Sequence, residues 1–198
     1  MTIQSLDTQF LLLINHGMAN AFLDILMPAL SLRGYLLVIP YILAMLLISA
    51  NRRDREGRTF ISTTVWALVI AFGAWYLSEW AEDALKVAIA RERPCRELEH
   101  IRLILPCPKS FSMPSGHAIT SFAVAAPLFY LPRAYIALIW RLYPVVLASF
   151  IAFSRLYLGV HYPTDVLAGT FLGILIGLAP SILYQVLATE EVVKRRKA

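Results

Sequence analysis

A chain of 198 residues has room for one compact unit and little for a second. It is 59% hydrophobic and 16% charged, against roughly a quarter charged in a soluble domain, which sets aside an ordinary water-soluble protein and points to the bilayer. A formal net charge of +5 suits contact with anionic lipid or phosphate, and two cysteines are too few for a structural zinc centre, which takes about four ligands.

In chain order, the first ten residues lack the basic n-region of a secretory signal peptide, and no small-residue cleavage site follows their apolar run. Within 1–32, the apolar stretches 10–14 and 21–32 are interrupted by Asn15, His16, Asn20 and Asp24. This segment reads as one imperfect span or as two helices lying in the membrane interface, and the interruptions favour the interfacial reading. Residues 34–50 and 59–78 carry no charge. The run 118–131 is short alone and can begin earlier, inside the residues before it. A fourth run, 135–153, holds Arg141 near one end, where it can snorkel to a head group. The fifth, 166–189, places Gly169, Gly173 and Gly177 every four residues, a small-residue face for close helix packing. Trp66, Trp75, Trp80 and Trp140 suit an interface belt or the core. The expected fold is all-α: one domain over 1–198, an integral-membrane helical bundle of five or six transmembrane helices.

Orientation follows the basic loops. Four arginines in 51–58, four cations in 194–197, and Arg133 with Arg141 fall on one side, the cytoplasm, when spans are counted between them. Segments 81–117 and 154–165 then share the opposite face. There Arg91, Arg93, Arg96, Arg102 and Lys109 break the charge rule and call for another reason to exist.

Three motifs lie on that far face. Lys86 is followed after six residues by Arg93-Pro94; next comes Pro114-Ser115-Gly116-His117; then Ser154-Arg155, five residues, His161, three residues and Asp165. A phosphoryl group in transfer spreads charge over three oxygens and needs positioned donors. Lys86, Arg93 and Arg155 can supply them, arginine as a planar fork and lysine as a point charge. Ser115 can cap the helix that starts at Gly116, whose first backbone N–H groups face an anion at the positive end; Gly116 lets that anion come close. Pro163 can open the last helix. His161 and Asp165, four apart, can share a face, so that the carboxylate holds one ring nitrogen and the other is free to attack phosphorus. His117 can then act as general acid and later activate water. Each of these residues alone has an ordinary structural explanation; their joint occurrence carries the reading. Arg91, Arg96, Arg102 and Lys109 read as anchors or substrate-surface contacts, His16 and His100 as structural, and Glu79, Glu82 and Asp83 as either modulators of Lys86 or solvated charges. Cys95 and Cys107 can bridge if their stretch meets an oxidising compartment; two free thiols are the alternative.

These motifs, in order and with no departure at a key position, resemble the signature of the type-2 phosphatidic acid phosphatase (PAP2) superfamily, and the flanking helices fit its membrane branch. The resemblance covers Lys86 to Asp165. It implies a hydrolase of phosphoric monoesters or diphosphates, of the metal-independent acid-phosphatase type. His161 would be nucleophile, Asp165 its partner, and His117 the acid–base group. Lys86, Arg93, Ser115, Gly116 and Arg155 would hold phosphate, with no metal and no cofactor. It further implies a multi-pass protein of the bacterial inner membrane, its site facing the periplasm or cell exterior. Partners would be the membrane and a phospholipid or polyprenyl phosphate substrate, with no nucleic acid; oligomeric state stays open. The small bacterial enzymes that recycle undecaprenyl diphosphate are the nearest in kind. Phosphatidylglycerophosphate, phosphatidic acid and lipid A 1-phosphate are alternative substrates. A non-enzymatic lipid-binding or transport protein on the same fold is the alternative of another class.

Overall fold

A computed structural model describes residues 2–50, 55–131 and 136–197. The orientation argument placed on Arg52, Arg53 and Arg133 lies outside them. Every regular element among the described residues is helical: α1 Ile3–Gly17, α2 Ala21–Arg33, a 3-10 turn Gly34–Leu37, α3 Val38–Ala50, α4 Arg55–Ile89, α5 Pro94–Glu97, α6 Gly116–Tyr130, α7 Leu138–Tyr157 and α8 Pro163–Lys197.

The body is built around α6, which packs on α4, α7 and α8. Its contact with α8 is where the glycine stripe acts. A Cβ at Gly173 would collide with the Ile119 carbonyl and one at Gly177 with the Ala123 carbonyl, so only glycine lets the two backbones come this near. Ala118 and Ala125 sit wholly or almost wholly buried in the resulting core with Ala148, Ala152 and Val166.

Among the described residues, three stretches are long and apolar enough to cross a membrane: Ile61–Glu97, Leu138–Tyr157 and Pro163–Glu190. The runs 34–50 and 118–131 fold as shorter helices. Gly34–Ile48 falls below that length, and the 15 residues of α6 span about 22 Å against ~30 Å of hydrocarbon. The count by length is three, or four if α1 and α2 form a single span bent by 119°. Thr2 and Asn20 cap these two helices separately, each accepting a backbone N–H of the first turn. One stripe of α1, Asp7, Leu11 and Asn15, is buried at four-residue spacing, while Ile3, Phe10 and Leu13 face outward.

Helix α4 does not stop where its apolar run ends. It continues to Ile89 and carries Glu79, Glu82 and Lys86 onward at three- and four-residue spacing. The C-terminal ends of α4 and α7 and the N-terminal ends of α6 and α8 meet at one end of the bundle, together with the loop 98–115. Arg141 lies at the other end. It donates from Nε to the Phe129 carbonyl at 2.8 Å and stacks over the Phe129 ring, tying α7 to the last turn of α6.

Candidate active site

All three motifs converge at the first of these ends. Gly159 adopts φ +70° after α7, a turn that suits glycine, and returns the chain into Val160 and His161 before Pro163 starts α8. His161 is thereby held beneath Arg93, and each is 2% exposed. Arg93 precedes the short helix α5 and is fixed from three sides. Its Nε donates to the Ser110 carbonyl at 2.7 Å, one Nη to Ser110 Oγ at 3.0 Å, and the other Nη to the Val160 carbonyl at 2.9 Å. That last nitrogen also lies 3.0 Å from His161 Nε2. A guanidinium only donates, so Nε2 carries the lone pair and Nδ1 the proton.

The Nδ1 side faces Asp165, with Oδ2 at 3.6 Å and Ser112 Oγ at 3.5 Å. Asp165 has no exposed surface. Its Oδ2 accepts from Ser112 Oγ at 2.5 Å and from the Tyr162 N–H at 2.8 Å; its Oδ1 accepts from Arg91 at 2.7 Å. Burial is the main force on His161 and pushes its pKa down to about 3. Arg93 and Arg155 push the same way, and the pull of Asp165 does not offset them. At neutral pH the ring is therefore uncharged, with a free lone pair.

Above it stands a cationic bowl. Lys86 and Arg155 are both buried. Arg155 donates to Ser31 Oγ through one Nη, and its buried Nε has no hydrogen-bond partner among the described residues. Ser115 occupies the N-cap position of α6, yet its hydroxyl does not cap the helix. This corrects the expected capping role: Ser115 Oγ, like Arg155 Nε, is buried with no hydrogen-bond partner among the described residues. A Cβ at Gly116 would collide with the Glu82 carboxylate, which also pairs with Lys86. A carboxylate thus lies against the start of α6, where the positive end of the helix favours an anion. His117 follows in the first turn, 3.1 Å from the Ser31 carbonyl through Nε2. It borders a cavity of about 300 Å³ lined by Tyr35, Trp75, Glu79, Glu82, Gly116 and Thr120.

The loop between Arg93 and Ser110 is closed by a disulfide between Cys95 and Cys107, with Cα atoms 6.1 Å apart. Arg96 pairs with Glu92, and Arg102 with Asp24 and the backbone of Asn15, so both are structural. His16 bonds the His100 carbonyl through Nε2 at 2.7 Å. Arg91 is different. Reading it as an anchor is corrected by its bond to Asp165. Sequence reasoning also missed Ser112 and Asp7, whose partners lie far away along the chain. Among the described residues no group of three or more His, Cys, Asp or Glu side chains forms a metal centre.

The chain and its fold are similar to known proteins. A family model described as the PAP2 superfamily matches residues 64–189. The chain is similar to an undecaprenyl-diphosphatase of Sulfolobus acidocaldarius, 32% identical over 161 residues that make up 81% of this chain and 70% of that protein. It is 28% identical to a lipid A 4'-phosphatase of Bacteroides thetaiotaomicron over 86% of this chain and 73% of that one. Its fold is similar to the crystal structure of Aquifex aeolicus LpxE, with a TM-score of 0.69 and 24% identity over 93% of this chain and 100% of that one. The same holds for a transmembrane PAP2-type phosphatidylglycerolphosphate phosphatase from Bacillus subtilis, at a TM-score of 0.64 and 23% identity over 98% and 88%. The chain belongs to the PAP2 superfamily of lipid phosphatases: it is a multi-pass membrane protein and a phosphoric ester hydrolase.

Proposed function

We propose that this PAP2 superfamily member cleaves the diphosphate of undecaprenyl diphosphate through a phosphohistidine on His161. The observation that carries the mechanism is the polarity of that imidazole. Nδ1 faces the Asp165 carboxylate and the Nε2 lone pair faces Arg93, within the field of Arg155.

In this reading the terminal phosphate enters against Gly116 and displaces the Glu82 carboxylate. Its oxygens take Lys86, Arg93, Arg155, Ser115 Oγ and the first N–H groups of α6 as donors. Arg93 gives up Nε2 to hold phosphate, and Nε2 attacks phosphorus. The P–N bond forms as the P–O bond to the leaving group breaks. The ring gains positive charge, which Asp165 stabilises across Nδ1–H. His117, on the wall of the 300 Å³ cavity, is held neutral before substrate enters, its pKa pushed down to about 3 by burial and by Arg155. It takes up a proton with the incoming phosphate anion, whose charge favours the imidazolium, and donates that proton to the departing oxygen. It then takes one from water, whose oxygen displaces His161 and releases inorganic phosphate. The cavity lies between α4, α6 and the Gly34–Leu37 turn, beside exposed Trp75, and receives the leaving group from the hydrocarbon side.

Two features support an extracytoplasmic site in a bacterial inner membrane. The disulfide belongs to an oxidising compartment, and the cation-rich ends of α4 and α8 lie at the end of the bundle away from the site. The likeness to an undecaprenyl-diphosphatase supports the choice of lipid.

Phosphate release by the purified protein from undecaprenyl diphosphate, phosphatidylglycerophosphate, phosphatidic acid and lipid A 1-phosphate, side by side, tests the proposal. The highest kcat/KM is expected for undecaprenyl diphosphate, with none from His161→Ala. A tenfold preference for another lipid would replace the substrate, and an active His161→Ala would remove the mechanism.

A further inference from the structure

The N-terminal helix lies outside the region that the family model matches, residues 64–189, yet one of its side chains reaches the catalytic carboxylate through a single residue. Asp7 on α1 is 3% exposed. Its Oδ1 accepts the Thr164 N–H at 2.9 Å, and its Oδ2 accepts Thr164 Oγ1 and, at 2.7 Å, one Nη of Arg91. The other Nη of Arg91 donates at 2.7 Å both to Thr164 Oγ1 and to Asp165 Oδ1. The guanidinium also lies over the Tyr162 ring, 4.1 Å from its centroid.

Charge gives this chain of contacts a purpose. Asp165 must stay negative beside a histidine that becomes positive when it is phosphorylated. Arg91 orients Asp165 but also cancels its charge. Asp7 supplies a second carboxylate, so that the group Asp7–Arg91–Asp165 keeps a net charge of −1. It also accepts from the second residue of α8 and so fixes the turn from which Asp165 projects.

We infer that Asp7 is a positioning residue of the hydrolase, acting through Arg91 to keep Asp165 both oriented and effectively anionic. The N-terminal helix is therefore part of the active site and not only an anchor. This rests on the His161 mechanism proposed above.

The test uses the full-length protein in detergent with a water-soluble diphosphate ester. Wild type and His161→Ala serve as controls, and Tm and the orthovanadate inhibition constant are measured in parallel. Asp7→Asn keeps the shape and removes the charge. It should lower kcat about 10- to 100-fold, the size of an outer-shell effect in other sites. KM, the orthovanadate constant and Tm should stay close to wild type, and Asp7→Glu should recover part of the loss. In the Asp7→Asn background, Arg91→Gln should cost less than it does in wild type, because it restores a net −1. Should Asp7→Asn give no folded protein, Thr164→Val removes the hydroxyl that bonds Asp7 and Arg91 but leaves every charge in place, so it should show a smaller loss, again confined to kcat, and an unchanged kcat would overturn the inference.

An Asp7→Asn protein within twofold of wild-type kcat would overturn the inference. So would a parallel fall of kcat, orthovanadate affinity and Tm, or strict additivity with Arg91→Gln. An active His161→Ala control would overturn the mechanism as well, which separates the two failures.

Discussion

Replacing Asp165 by asparagine removes one charge and almost no volume, and the surroundings dictate the outcome. Both oxygens are fully engaged: Oδ2 faces the Tyr162 N–H, Ser112 Oγ and the His161 ring, and Oδ1 faces Arg91. Asparagine offers one acceptor and one NH2. With the NH2 on the Oδ2 side, two N–H donors oppose each other and His161 is driven to the tautomer that protonates Nε2. With the NH2 on the Oδ1 side, it meets a guanidinium. A buried unmatched donor costs about 1–3 kcal/mol, more against a charge, and the stabilisation of imidazolium is lost besides. The expected sum is about 3–5 kcal/mol, or roughly 10²- to 10⁴-fold in rate. Phosphate release under saturating substrate reads kcat, and orthovanadate inhibition reads the intact bowl. The loss should fall in kcat with the inhibition constant within about threefold of wild type. A loss below tenfold, or one carried by KM alone, would refute the role given to Asp165.

Three further outcomes follow from the same geometry. Glu82→Gln removes the carboxylate that pairs with Lys86 and lies against Gly116; phosphate and orthovanadate should bind about 5- to 30-fold more tightly, or ~1–2 kcal/mol, and unchanged or weaker inhibition would contradict this. Gly173→Val drives methyl groups toward the Ile119 carbonyl and Phe122; overpacking of about 1–3 kcal/mol should lower Tm by several degrees, whereas an unchanged Tm would refute the close α6–α8 contact. With the His161 pKa lowered to about 3, the ring is protonated only below that value, so its nucleophilic form persists across pH 5–8. The ring should then show no titration near 6.5 when its NMR signals are followed in wild type, with His161→Ala used to assign them, and finding such a titration would return His161 to an ordinary environment.

Residues whose partners are near in sequence were legible before the fold was known. His161 with Asp165, the stripe of Gly169, Gly173 and Gly177, and the helix start at Gly116 are set by spacing along one turn or one helix face, and spacing survives in sequence. The bundle was legible from its apolar runs, because the bilayer demands them. Helix α4 extends past its run to Ile89 since propensity, not hydropathy, governs a helix once it leaves the lipid. Ser112 and Arg91 escaped because their bonds to Asp165 bridge 53 and 74 positions. Asp7 is 157 positions from Thr164. An arginine in a basic loop looks like a head-group anchor until the fold brings two carboxylates to it. Ser115 was legible as the residue before the start of α6, but not the state of its hydroxyl, because only the packed structure shows that the oxygen makes no cap.

The claim on which the mechanism turns is the covalent intermediate on His161. Rapid quenching with a substrate labelled in its terminal phosphate should trap an acid-labile, base-stable phosphoenzyme whose label maps to His161. The trapped fraction should rise in His117→Ala, where water is no longer activated, and vanish in His161→Ala. Turnover without any labelled protein, or label that persists in His161→Ala, would contradict it.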